Sequence, residues 1–169
     1  MARSWHGCPR GPGPSCSCYL IGQLARRLGL PLRCGGSLTA SKIPDAQAAY
    51  ESADSMHSTV MAGANFVLHS AGWLEGGFCT GYEKLAMDAD RLGAYQVMLG
   101  GLSTDLNAQA RDAYLEVEPA GHCLGSSHIM ANYQTAFYEA ALSDSENVES
   151  WEEAGSKDML QRAYERWRA

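Results

Sequence analysis

Two short apolar runs, Leu32-Arg33-Cys34 and Asn65-Phe66-Val67-Leu68-His69, bracket a helix-periodic stretch. The segment takes about 35 residues, the size of one strand–helix–strand unit. Two strands joined by such a crossover lie parallel, and the connection is right-handed. Gly35-Gly36 ends the first strand, and Pro44 stands where a helix can start, because proline is tolerated in a first turn. Ala49, Ala53, Met56, His57 and Val60 recur at three- and four-residue steps, which predicts the buried face of that helix; Gly63 closes it.

A second long helix is expected beyond Gly77. Tyr82, Leu85, Ala86, Ala89, Leu92 and Gly93 fall on one side, and Glu83, Lys84, Asp88, Asp90 and Arg91 largely on the other. Ser103 or Thr104 is placed to cap a helix reaching to about Tyr114, and Leu115-Glu116-Val117 reads as a further short strand. Residues 126–138 read as helix. Met159, Leu160, Ala163, Tyr164 and Trp167 make an amphipathic C-terminal helix, with Arg162, Arg166 and Arg168 suited to its end. Strand-to-helix units in succession predict an α/β fold. In such folds functional residues gather at the carboxyl ends of parallel strands, here residues 33–42 and 69–77.

The chain has 169 residues, enough to bury a sizeable core but fewer than the roughly 250 of a complete eight-fold α/β barrel. Thirteen basic residues against 19 acidic ones give a net charge of −6, and no basic stripe suits nucleic acid. No run approaches the roughly 18 apolar residues of a spanning helix, so no membrane partner is expected. Residues 1–19 are Pro/Gly/Cys/Ser-rich and aperiodic, which predicts a disordered terminus, with order beginning near Tyr19 where Leu20, Leu24, Arg27 and Leu28 suggest a short helix. A signal peptide is not sustained there, because prolines interrupt the segment and Arg26-Arg27 close its apolar stretch. The six cysteines lack C-x-x-C spacing and read as reduced thiols of a cytoplasmic protein.

Two segments carry candidate chemistry. In the first, Gly35 and Gly36 let backbone approach a ligand, while Ser37, Thr39, Ser41 and Lys42 supply donors. Arg33, placed inside an apolar strand, demands a partner for its charge. That partner is either a substrate carboxylate gripped by two parallel hydrogen bonds or a structural carboxylate. In the second, His69 ends a strand and is followed by Trp73 and Glu75 in a glycine-rich turn. His69 and Trp73 fit a packed core as well as a site, but a tryptophan face beside a carboxylate also holds quaternary ammonium groups. Glu75 is a counter-ion, a metal ligand or a charge at a helix start. A third segment, Gly121-His122-Cys123-Leu124-Gly125-Ser126-Ser127-His128, lacks the spacing of zinc-binding histidine pairs; it reads as a turn with Ser126 or Ser127 as a helix cap, and no metal is assigned. The pairs Gly35-Gly36, Gly76-Gly77 and Gly100-Gly101 leave a phosphate-binding α/β protein as an alternative.

Taken together, several stretches resemble the trimethylamine methyltransferase family. They are Gly29-Leu30-Pro31, Gly35-Gly36-Ser37-Leu38-Thr39-Ala40-Ser41-Lys42, Pro44-Asp45-Ala46-Gln47-Ala48-Ala49-Tyr50-Glu51, Ala62-Gly63-Ala64-Asn65 and Ala71-Gly72-Trp73-Leu74-Glu75-Gly76-Gly77. Gly121-His122-Cys123-Leu124-Gly125 and Trp151-Glu152-Glu153-Ala154-Gly155-Ser156-Lys157-Asp158 complete the set, which runs in one order from about Gly22 to the C-terminus. The resemblance implies that residues 20–169 are the C-terminal part of a (β/α)8 TIM-type barrel, left incomplete. It implies methyl transfer from a methylated amine to a Co(I) corrinoid, in one-carbon metabolism of the methanogenesis type. The corrinoid, a cobalamin-type group, rides on a separate partner protein; this chain itself is expected to bind no cofactor.

The trimethylamine branch of that family uses pyrrolysine, and this chain as written has none, which favours the branch acting on betaine-like quaternary amines such as glycine betaine. Such a nitrogen leaves as a neutral amine, so no general acid is needed and no catalytic residue is assigned. Positioning dominates. Positive charge on nitrogen disappears in the transition state, so the pocket wants an aromatic wall more than carboxylates pressed against the nitrogen. The expected substrate-binding residues are Arg33 as carboxylate anchor with help from His69, Trp73 as the wall, and Glu75, Ser37, Thr39 and Lys42 around them. An incomplete barrel is expected to be inactive alone and, with open sheet edges, to associate, a homo-oligomer being one outcome. A non-catalytic remnant holding a quaternary amine or a corrinoid-protein partner is the other reading.

Overall fold

A computed structural model describes residues 13–169, with side chains from Cys16 onward. The expectation for residues 1–12 lies outside the described residues. The chain forms two compact units, one of residues up to Arg91 together with Leu142–Ala169, the other Leu92–Ala141.

The first unit opens with helix α1 (Gly13–Leu28). It begins before Tyr19, so residues 13–19 are helical where a disordered terminus was expected. Pro14 sits in the first turn, where a missing N–H costs nothing. Leu20, Leu24 and Leu28 remain exposed. The helix instead packs through Gly22, which is buried against Ala62, and Arg26 donates to the Ala62 carbonyl.

Strand β1 (Arg33–Gly35) and strand β2 (Phe66–Leu68) pair in parallel, with Arg33 opposite Phe66 and Gly35 opposite Leu68. Helix α2 (Ala46–Met61) joins them, started by Asp45, whose carboxylate accepts from the Ala48 amide at 2.9 Å. Its buried face differs from the apolar face expected. Ala48, Ser52, Met56, Ser58 and Thr59 are buried, whereas Ala49 and His57 are exposed. Small hydroxyl residues suit this position because α2 lies close to backbone, and their hydrogens find carbonyls. Thr59 Oγ1 donates to the Gly35 carbonyl at 2.6 Å. A Cβ on Gly36 would meet the end of the Met56 side chain, which would have to shift to admit it, so strand and helix pack closely here.

Beyond β2 the chain makes a small antiparallel hairpin, strand β3 (Trp73–Leu74) with strand β4 (Cys79–Thr80), joined through a 3-10 turn over Glu75–Gly77. Helix α3 (Tyr82–Leu99) then begins in the first unit. Its start is covered by the C-terminal helix α7 (Met159–Arg168). Trp167 stacks on Tyr82 with ring centres 4.9 Å apart, and its indole N–H donates to Glu83 at 3.0 Å. A short helix α6 (Val148–Glu153), not foreseen from periodicity, precedes α7. Numbering in chain order, α4 (Arg111–Glu116) and α5 (Ser127–Asn132) belong to the second unit.

That second unit is mostly turns around two short helices. The helix expected from residue 103 is confined to α4, and Leu115 and Glu116, expected in a strand, are its last residues. The helix expected over 126–138 is confined to α5, capped by Ser126 as foreseen, whose hydroxyl accepts from the Ile129 amide at 3.4 Å. Glu116 ties the two helices by accepting from the Ser127 amide at 2.7 Å. No other regular strand occurs among the described residues.

Candidate functional site

Both segments singled out from the sequence follow the parallel strands, and the fold joins them directly. The Glu75 amide donates to the Ser41 carbonyl and the Gly76 amide to the Thr39 carbonyl, each at 2.7 Å. The loop after β1 and the turn after β3 are thus one cross-linked ledge. The loop is fastened from α2 by Glu51, which accepts from Thr39 Oγ1 at 2.6 Å, the Ala40 amide at 2.7 Å and Gln47 at 3.0 Å. Partial burial pushes the Glu51 carboxyl up, but those donors outweigh it and hold the group below its ordinary value.

Three of the expected site residues adopt left-handed backbone conformations: Ser37 at φ +49°, His69 at φ +55° and Glu75 at φ +50°. Such conformations are strained for residues with a side chain and persist only where surrounding bonds impose them. Ser37 lies in the loop of the ledge, Glu75 in its turn and His69 just after β2, while Ala110, Ala120 and Ser156 share such backbone elsewhere among the described residues. The His69 and Trp73 rings meet edge to face, with centres 5.1 Å apart and planes at 76°. His69 is exposed and Trp73 half-buried. Ser37 and Thr39 are buried, and exposed Lys42 donates to the Ala40 carbonyl at 2.8 Å. Glu75 is exposed; its carboxylate accepts from the Cys79 thiol at 3.3 Å, and that bond pushes the thiol up.

Arg33 does not join them. It is exposed rather than buried, so the demand for a partner inside the strand falls away. It also opens β1, and parallel register puts it level with Phe66, while His69 follows Leu68 at the other end. About 7 Å of strand separates the levels of Arg33 and Gly35. The sequence placed Arg33 at a carboxyl strand end because β1 was read one residue too early.

Periodicity also missed a buried ion pair. Lys84 and Asp88, expected on the solvent side of α3, are 1% and 6% exposed and bonded to each other. Lys84 Nζ donates to Ser52 Oγ at 2.8 Å, and the Asp88 carboxylate accepts from the Gly72 amide at 2.8 Å. Burial pushes the Asp88 carboxyl up, against the pull of Lys84 and of that amide. The signal available in sequence was the i,i+4 spacing of opposite charges, which a solvated helix face shows equally often. Elsewhere, a cleft of about 650 Å³ lies between the start of α3 and α7, lined by Pro44, Glu83, Lys157, Tyr164 and Glu165 among others; it contains none of the expected site residues. Among the described residues no cluster of His, Cys, Asp or Glu could hold a metal ion, and no helix is long and apolar enough to cross a membrane.

The model of the trimethylamine methyltransferase family matches residues 7–169. The chain belongs to the trimethylamine methyltransferase family. Its membership extends into the N-terminal stretch, well ahead of Gly22, where the family's motifs first become readable by eye. The chain is 38% identical over 159 residues to the glycine betaine methyltransferase of Desulfitobacterium hafniense (strain Y51), an alignment covering 91% of this chain and 32% of that protein. It is 35% identical over 145 residues to the trimethylamine methyltransferase MttB of D. hafniense (strain DSM 10664 / DCB-2), covering 86% and 29%. It is 30% identical over 148 residues to the trimethylamine methyltransferase MttB1 of Methanosarcina mazei, again covering 86% and 29%. The chain therefore spans about a third of the length of the curated relatives it matches.

Proposed function

We propose that this chain supplies one wall of a methylated-amine pocket in a corrinoid-dependent methyltransferase, with a betaine-like quaternary amine as substrate. The observation that carries the reading is the His69–Trp73 ring pair, held edge to face on a strained, cross-linked ledge. A methylated ammonium rests on an aromatic face through the ring quadrupole, and rigid placement of the face orients the methyl group. Lys42, exposed on the adjoining loop, is the better candidate for the substrate carboxylate; Arg33, at the far end of the strand pair, has no part in this pocket. The 38% identity to a glycine betaine methyltransferase supports the betaine branch.

A Co(I) corrinoid on a separate protein would supply the nucleophile that takes the methyl group. The ledge fits such an approach: His69 and Glu75 are exposed, and a Cβ on Gly76 would meet nothing within 4 Å. In this reading β1, α2 and β2 form one repeat of a (β/α)8 barrel, and turnover belongs to the longer protein, where further walls exclude water. Phosphate is disfavoured, because the Glu75 and Gly76 amides already bond to carbonyls.

Calorimetric titration of the chain with glycine betaine, tetramethylammonium, trimethylamine and inorganic phosphate tests the reading. Betaine and tetramethylammonium are expected to bind. Trp73→Leu should weaken both by about tenfold, the scale of a desolvated cation–π contact, while Arg33→Ala leaves affinity unchanged. Binding of phosphate alone, or amine binding indifferent to Trp73→Leu, would overturn it.

A further inference from the structure

We propose that Ser52, Lys84 and Asp88 are positioning residues for the amine site, acting through the Gly72 amide on the His69–Trp73 pair. The inference rests on the assignment of that pair to the amine pocket, and it concerns side chains that touch no substrate.

The chain of contacts is continuous. Ser52 lies on α2, one residue from the Glu51 that fastens the first loop. Its hydroxyl receives Lys84 Nζ at 2.8 Å, Lys84 pairs with Asp88, and Asp88 receives the Gly72 amide at 2.8 Å. Gly72 lies three residues after strained His69 and immediately before Trp73, at φ +84°, a conformation that favours glycine. Its Cβ position is closed by Leu85 Cβ at 3.3 Å, from the same helix that carries the ion pair. The turn is therefore held from one side by packing and from inside by a charge-assisted bond.

A buried pair is a poor stabiliser, because desolvation offsets most of the attraction and an apolar pair of similar size often does as well. Its geometry is what an apolar pair cannot supply: a fixed acceptor for one amide. The loop after β1 and the segment leading into β3 are thus each tied to a helix by a carboxylate, Glu51 to the Ala40 amide and Asp88 to the Gly72 amide. Ser52 sets where Lys84 rests, and Lys84 sets where Asp88 points.

Nuclear magnetic resonance of the full chain, with the Trp73 indole and His69 ring signals assigned, reads the position of the pair without any ligand. Three variants are compared with the wild type: D88N, which keeps an acceptor for Gly72 but not the charge; the apolar double variant K84M/D88L; and R162Q, which loosens the contact of α7 with the Leu142 carbonyl and whose parent side chain bonds to Leu142, Lys157 and Asp144 rather than to the ledge or the ion pair. Both ring signals are expected to move in D88N and further in K84M/D88L, with tetramethylammonium affinity falling by about tenfold in the double variant. R162Q should leave both signals and the affinity unchanged. Ring signals unmoved in D88N and in K84M/D88L overturn the inference. If D88N, which leaves Lys84 buried without its counter-charge, does not fold, the double variant decides alone, and if the double variant does not fold, D88N does. If the wild type binds no tetramethylammonium, the amine reading fails, and the ring signals still decide whether the pair is held through Asp88.

Discussion

Glu51 shows how a residue with an unremarkable sequence context becomes a fastening point. Nothing in its spacing distinguishes it from any other acid on an exposed helix face, yet it gathers Thr39, Ala40 and Gln47. Those donors favour its charged form and depress its pKa below the ordinary value. The stability it contributes is fully present above the unfolded-state pKa and is lost as pH falls through the lower, folded one. Glu51→Gln should cost about 1 kcal/mol near neutral pH, a modest figure because the group is only partly buried. It should also flatten the decline of stability on acidification. Urea unfolding across the acid range measures both, and an unchanged slope would show that Glu51 does not fasten the loop. Thr39 was legible as a donor in a glycine-rich segment; its acceptor was not, because the pairing crosses from loop to helix. The same limit hid Lys84 and Asp88.

At the scale of elements, local chemistry decides the C-terminal helix and the Ser126 cap but not the Ser103 or Thr104 cap, since the next helix starts only at Arg111. The C-terminal helix was expected from its period, and the structure adds a capping box, with Asp158 and Gln161 each bonding the other's backbone amide. Asp158→Ala should cost about 1 kcal/mol and lower Tm by about 2–4 °C. Differential scanning calorimetry checks this, and an unchanged Tm would mean that α7 is held by its contacts with other elements, Trp167 on Tyr82 and Arg162 on the Leu142 carbonyl, without help from the cap. The parallel pairing of the two short strands followed from the helix between them and is present. The apolar faces of α1 and α2 were misjudged for a common reason. Small residues sit where other elements come close, Gly22 against Ala62, Ser52 against Lys84 and Thr59 against the Gly35 carbonyl, because they let backbones near one another while larger ones hold them apart. Leu115 and Glu116 end a helix, and the Glu116 carboxylate reaches the start of α5, a partner eleven residues on that spacing does not reveal.

Across the whole molecule, burial is uneven. In the unit Leu92–Ala141 only Tyr95, Ala113 and Ser126 are buried, whereas the other unit keeps α2 and both parallel strands around a polar and apolar core. Segments with few buried contacts open locally at low free energy. Hydrogen exchange should therefore be fast over residues 101–141 and slow over 46–61, and equal protection would contradict the division. Composition, period and motif spacing were sufficient to determine the strand–helix–strand unit, the Ser126 cap and the family, since each depends on neighbours within a turn or on residues kept in order along the chain. The tertiary structure alone decided that Arg33 stands apart from the ledge, that His69 meets Trp73, and that a buried Lys84–Asp88 pair holds the turn between them. Those outcomes depend on strand register and on contacts between separate elements, and a one-residue change in register moves a side chain to the other end or face of its strand.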